Sequence, residues 1–393
     1  MRIVKLIAAM ALSIGLSAPV LAQEPIKIGV LLPYSGVFGV IGKDQDLALE
    51  IALDTFGREV AGRPIELVRG DTESKPNAGL AQAKKLILKD KVDMLVGTVS
   101  SAVAGAVRDY VHNSKTPLII ANAGNDQLTG SKCSPWILRT SFSNSQINRP
   151  MGHWMATQGY RKVFLMAFDY AAGHQMMEAF RDSFTKAGGT IVGEEYPPLG
   201  ETKDFGPYLA KAKAANPDAV YVFFAGGPAI KFVKEYAAFG LKGNIPLAGA
   251  GWLTSALYVN KEGDDAAGIL STLNYVPSID SEANRRFQRD FQARAGRPGS
   301  EFGVAMYDTA HLIVEALKAT GGNTADRKAL VSAMHNVSFE GPRGPFRIDP
   351  ETNNIVQNIY ISEIKRMADG SMGAEIKRVM KAVQDDPNGC NIL

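Results

Sequence analysis

The stretch IKIGVLLPYSGVFGVIGKDQDLALEIALDTF, residues 26–56, passes from a continuous apolar run through a glycine-rich turn into apolar residues at helical spacing. IKIGVLL reads as a strand buried on both faces, PYSGVFGVIG as a loop, and DLALEIALDTF as a helix that Gly57 ends. Such a unit, repeated, builds a parallel sheet covered by helices. It does repeat. PIELVRG and NAGLAQAKKLILKD form the next strand and helix, VDMLVG leads into the helix of LVGTVSSAVAGAV (95–107), and TPLIIANAG (116–124) is a fourth strand.

After the long polar stretch SFSNSQINRP (141–150) the alternation restarts. RKVFLMAFD, TIVGEEYP, DAVYVFFAGG and IPLAGAG read as strands, with helices over HQMMEAFRDSFTKAGG, DFGPYLAKAKAAN and IKFVKEYAAFG. Two series imply two doubly wound parallel-sheet lobes, with an eight-fold barrel as the alternative. Downstream, two helices (282–296 and 302–322) follow one another without a strand. A third helix (326–335) precedes GPRGPFRIDP (341–350), and QNIYISEIK (357–365) is a late strand.

The first 22 residues stand apart: Arg2 and Lys5 precede an apolar run from Leu6 to Leu16 and a Val-Leu-Ala site, the pattern of a secretory signal peptide. Without Arg2 and Lys5 the formal charge falls from +3 to +1, which gives no electrostatic case for nucleic acid. The expected product is exported and monomeric, with no membrane span. Two cysteines, Cys133 and Cys390, point to one bridge in an oxidising compartment, or else to two unrelated thiols.

Ligands of open parallel sheets bind where strands end and helices begin. At those ends lie Tyr34, Phe38, Thr98, Val99, Ser100, Ser101, Ala121, Asn122 and Ala123 in the first series. In the second lie Asp169, Tyr170, His174, Phe223, Phe224, Ala225, Gly226, Gly251 and Trp252. A helix starting at Ser100 or Ser101 offers unpaired N–H groups and a positive dipole end to a small carboxylate. The aromatic side chains suit an apolar, planar guest. Glycines spaced by two in GVFGVIG do not make a dinucleotide fingerprint. The five histidines do not cluster as metal ligands, and no nucleophile motif stands out. Neither an enzyme nor a cofactor or metal is expected.

IKIGVLLPYSGVFGVIGKDQDLALEIALD, VDMLVGTVSSAVAGAVRDYV, TPLIIANAG, ILRTSFSNSQI, DAVYVFFAGG, YDTAHLIVEAL and GPRGPFRIDPETNN together resemble the branched-chain amino-acid binding proteins of bacterial ABC importers. The resemblance implies a type I periplasmic binding protein, α/β, with two lobes joined by a three-strand hinge. The crossovers would fall near 142–146, 275–280 and 341–347. They would divide the chain into an N-lobe of 24–143 plus 278–343 and a C-lobe of 144–277 plus 344–393. It also implies a periplasmic location, a membrane permease and an ATPase as partners, and a ligand carboxylate on the loops Gly97–Ser101 and Ala121–Ala123.

Amino-acid binders of that family hold the ammonium with an acid in the loop after the strand matching IPLAGAG. Here the loop reads GAGWLTSAL, with no Asp or Glu. The expected ligand is therefore a small aromatic or apolar carboxylate, as in the branch of the family that takes aromatic acids. A branched-chain or aromatic amino acid, or a soluble partner of a sensory receptor, are the alternatives.

Overall fold

The computed structural model describes residues 24–392, so the signal-peptide reading of residues 1–22 lies outside the described residues. The first lobe is built on β1 (Ile26–Leu32), β2 (Glu59–Val60), β3 (Arg63–Asp71), β4 (Met94–Gly97), β5 (Leu118–Ile120) and β6 (Ile137–Arg139). They lie in the order β2-β3-β1-β4-β5-β6, parallel except for the β2–β3 hairpin. Helices α1 (Gly39–Phe56), α2 (Pro76–Leu88) and α3 (Ser101–Ser114) connect these strands. Every residue of β4 and β5 is buried, because helices cover both faces.

Helix α4 (Asn144–Thr157) leads into the second lobe, with β7 (Lys162–Ala167), α5 (Ala171–Lys186), β8 (Thr190–Glu195), α6 (Gly206–Ala214) and β9 (Ala219–Phe223). Then come α7 (Gly227–Ala238), β10 (Leu247–Ala250), the short α8 (Val259–Glu262) and β11 (Leu270–Leu273). Helices α9 (Glu282–Ala295), α10 (Glu301–Ala319) and α11 (Arg327–His335) return to the first lobe, where α10 packs along α1. Last come β12 (Ser338–Gly341), β13 (Gly344–Ile348), β14 (Ile355–Arg366) and β15 (Met372–Val383). The second sheet runs β12-β13-β14-β11-β10-β9-β7-β8, with β15 paired to β14. The β12–β13 hairpin thus extends this sheet, and strand pairing runs straight across position 343. Two separate sheets exclude the single barrel.

Three segments link the lobes and are bonded to one another. The carbonyl of Ser141 accepts from Asn274 Nδ2 (3.0 Å) and Arg343 Nη1 (3.2 Å). Arg343 also pairs with Asp308 over 2.7 Å, both side chains buried, and bonds the Thr140 carbonyl. Buried polar groups bonded in this way fix one geometry, since each costs several kcal/mol if left alone, although Asp308 Oδ1 finds no partner. Cys133 and Cys390 form a disulfide, their Cα atoms 5.5 Å apart.

Candidate functional site

The C-terminal ends of β1, β4, β5, β7, β9 and β10 meet between the lobes, and side chains from their loops line one cleft. Phe38, Val99, Ser101, Asn122, Tyr170, Ala225 and Trp252, all singled out from the sequence, are brought together there. Phe223 from β9, also singled out from the sequence, joins them, and the structure adds Phe142 and Asn144 from the first linking segment, Met176 from α5 and Phe302 from α10. Five rings form a chain around it. Phe38 lies 6.4 Å from Tyr170, Tyr170 6.2 Å from Phe223, Phe223 5.6 Å from Trp252, and Trp252 4.5 Å from Phe142, centroid to centroid. In this closed arrangement about 30 Å³ remains between them, room for a couple of water molecules.

Several residues singled out from the sequence lie elsewhere. Phe224 faces the second lobe's own core, with Phe232 at 4.5 Å and Phe168 at 4.8 Å. Strand side chains alternate, so neighbours 223 and 224 point to opposite faces, and the inward residue is Phe223. Tyr34 turns away, its hydroxyl donating to Asp46 (2.9 Å) beside Arg69. Asp169 and His174 bond each other at 2.7 Å on the rim, with 61% and 51% of their side chains exposed. Gly251 lines a second cavity behind the Trp252 loop. Thr98 is fully buried beneath the cleft floor. Ser100 stands at the N-cap of α3. Ala121 and Ala123 act through the backbone: the Ala121 carbonyl accepts from Gln45 (3.0 Å), and the Ala123 N–H donates to the Thr98 carbonyl (2.9 Å). Gly226 caps α7 with φ 70°, a conformation suited to glycine, and its N–H donates to Tyr258 Oη (2.9 Å).

The cleft combines helix dipole ends with an uncharged lining. Among the described residues lining the cleft, none carries a formal charge. Helices α3 and α5 begin at its wall, one from each lobe, and neither N-cap residue, Ser100 or Tyr170, bonds a helix N–H with its side chain. Away from the cleft, Ser143, Ser281, Ser300 and Asp326 do cap α4, α9, α10 and α11. The unpaired first-turn N–H groups of α3 and α5 bring two positive dipole ends to one space. Burial raises the Tyr170 phenol well above its usual range, so it stays neutral and adds no charge.

One polar network orients the rim. The Asp126 N–H donates to Gln175 Oε1 (3.0 Å), which fixes that atom as an acceptor. Asn144 must then turn Nδ2 to the same oxygen (2.7 Å), and its Oδ1 is left without a donor. Asn144 Nδ2 also reaches Ser101 Oγ at 3.4 Å, leaving the Ser101 hydroxyl proton free to donate. None of Phe142, Asn144, Gln175 and Phe302 was singled out from the sequence. Their common signal is position: each lies on a segment that links the lobes or on a helix facing the cleft.

Comparison with known proteins places this geometry. A family model described as periplasmic binding protein matches residues 25–371. A Leu/Ile/Val-binding protein homolog from Brucella melitensis is 33% identical over 390 residues, 98% of each chain. A solute-binding protein of an ABC transporter from R. palustris, solved in complex with benzoate, superposes with TM-score 0.88 at 37% identity, over 94% of this chain and 100% of that one. A second, from Rhodopseudomonas palustris BisB5 with 3,4-dihydroxybenzoic acid, gives 0.88 at 35% identity, over 92% and 98%. A leucine-binding protein from Thermotoga maritima shares the fold at TM-score 0.80 and 21% identity, over 91% and 99%. Matched almost end to end in sequence and in both lobes, the chain belongs to the periplasmic binding protein family, with the type I fold of its solute-binding members.

Proposed function

We propose that the protein is the periplasmic solute-binding component of an ABC importer, and that it captures a small aromatic carboxylate by closing its lobes. The observation that carries this reading is a cleft ringed by aromatic side chains in which no lining residue bears a formal charge. The carboxylate would be held by Ser101 Oγ and the first-turn N–H groups of α3 and α5, the ring by Phe38, Phe223 and Trp252. An α-amino acid would bury an ammonium with no carboxylate opposite it, at a cost of several kcal/mol. The relatives solved with benzoate and dihydroxybenzoate support the same ligand class. Delivery would go to a membrane permease driven by an ATPase, after export directed by residues 1–22. Capture and release need no covalent step.

The test is a thermal-shift and calorimetric screen of the mature protein against benzoate, 4-hydroxybenzoate, phenylalanine and leucine. A benzoate at about 100 times its Kd should add about 2.7 kcal/mol of stability. Stabilisation by leucine or phenylalanine with none by the benzoates would overturn the ligand class.

A further inference from the structure

Behind the Trp252 loop, separated from the cleft by residues 251–256, lies a second and larger cavity of about 510 Å³. Both lobes wall it: Gln292 and Glu301 come from the α9–α10 pair, and Gly251, Thr254, Leu273 and Met372 from the second lobe. Its lining is mostly apolar, with two acids, Glu301 and Asp369, and no Lys, Arg or His among the described residues. Glu301 is 4% exposed and Thr254 5% exposed. Glu301 Oε1 and Thr254 Oγ1 have no hydrogen-bond partner.

We propose that this cavity is a second binding site, for a small organic ammonium ion with an apolar body, whose charge is met by Glu301 and Thr254. A buried carboxylate oxygen without a donor lacks the partner that would offset its desolvation, and an ammonium N–H supplies one. Burial pushes the Glu301 carboxyl up to about 7, with the Ser255 hydroxyl opposing the shift, so a bound cation draws it fully into the charged form. An anion would meet two acids and no counter-charge. The ligand class is thus opposite in sign to that proposed for the cleft. Because both lobes form the walls, occupancy favours the closed arrangement and adds to closure by a cleft ligand.

The experiment is calorimetry of the mature protein at about pH 8 with 2-phenylethylamine, and with 2-phenylethanol and 3-phenylpropionate as neutral and anionic counterparts. The amine should bind at least about tenfold more tightly than either counterpart, and Glu301→Gln should remove that preference. Ser278→Trp, at an exposed position on the cavity rim, should block entry and decides the matter should Glu301→Gln fail to fold. Saturating benzoate should leave amine binding unchanged or tighter. No heat with the amine up to about 10 mM, wild-type affinity in a folded Glu301→Gln, or competitive displacement by benzoate would each overturn the proposal. Failure of benzoate itself to bind would count against the cleft ligand and not against this site.

Discussion

Gln175 of the second lobe donates through Nε2 to Asn125 Oδ1 of the first, over 3.1 Å, while its Oε1 accepts the Asp126 N–H. The same amide thus latches the closed cleft twice and holds Asn144 in its orientation. Replacing it by alanine removes these two bonds and the one from Asn144 Nδ2, which keeps only its longer contact to Ser101 Oγ, and leaves the Asp126 N–H seeking water. Each lost bond is worth about 1 kcal/mol. Gln175→Ala should therefore weaken cleft-ligand binding about tenfold or more, and small-angle scattering should show a wider unliganded protein. Unchanged affinity would remove Gln175 from the closing mechanism.

Phe223 and Phe224 offer a paired test. Truncating Phe224 opens a hole among Phe168, Phe205 and Phe232, and should cost about 3–5 kcal/mol of stability. Affinity of the protein that remains folded should stay within about threefold. Phe223→Ala should instead lower affinity by about tenfold or more, by removing a ring from the chain around the cleft. Denaturant titration and calorimetry on both variants separate the two effects, and the reverse pattern would invert the assignment of faces.

Glu262 is 1% exposed, with neither oxygen hydrogen-bonded. Burial, with Lys234 opposing and Glu301 reinforcing, pushes its carboxyl up to about 9. A raised acid contributes stability in full below its unfolded value, 4.5, and loses it as pH rises toward 9. Glu262→Gln lacks this titration. Its stability relative to the natural protein should therefore climb with pH between about 5 and 9, by at most about 1.4 kcal/mol per unit. Chemical denaturation at both ends of that range measures it. Parallel profiles would mean that Glu262 ionises without cost.

The linking segment 141–150 shows what the sequence hides. SFSNSQINRP reads as a polar break, yet Ser141, Ser143, Asn144, Gln146 and Asn148 are all buried and Arg139 ahead of it is fully so. Many of their partners lie far along the chain: Gln357 bonds the Ser141 carbonyl and Gln146, Asn354 bonds Arg139, and Tyr221 bonds Asn148. Polarity in a chain says that water or a partner is needed, not which. The βα units were legible because a strand buried on both faces is apolar throughout. That same uniformity concealed which of Phe223 and Phe224 faces the cleft. β15 was missed for the opposite reason: its outer face is charged, with Glu375 and Lys377 exposed, so no apolar run marks it. The site was legible where glycines and hydroxyls interrupt apolar runs, as at Gly97–Ser101. It was not where helices α5 and α10 contribute Met176 and Phe302 from otherwise ordinary amphipathic patterns.

The Cys133–Cys390 bridge ties the chain's tail, arriving from β15 of the second lobe, to the loop ahead of β6 in the first. It closes a loop with a sequence separation of 257 that contains most of the second lobe and all of α9–α11. One peptide bond cut anywhere inside that loop leaves a single covalent molecule. A nicked protein should run as one band without reductant and as two with it. Inside that loop a protease would then have to strike twice before it shed a fragment, whereas one cut ahead of Cys133 releases the N-terminal part.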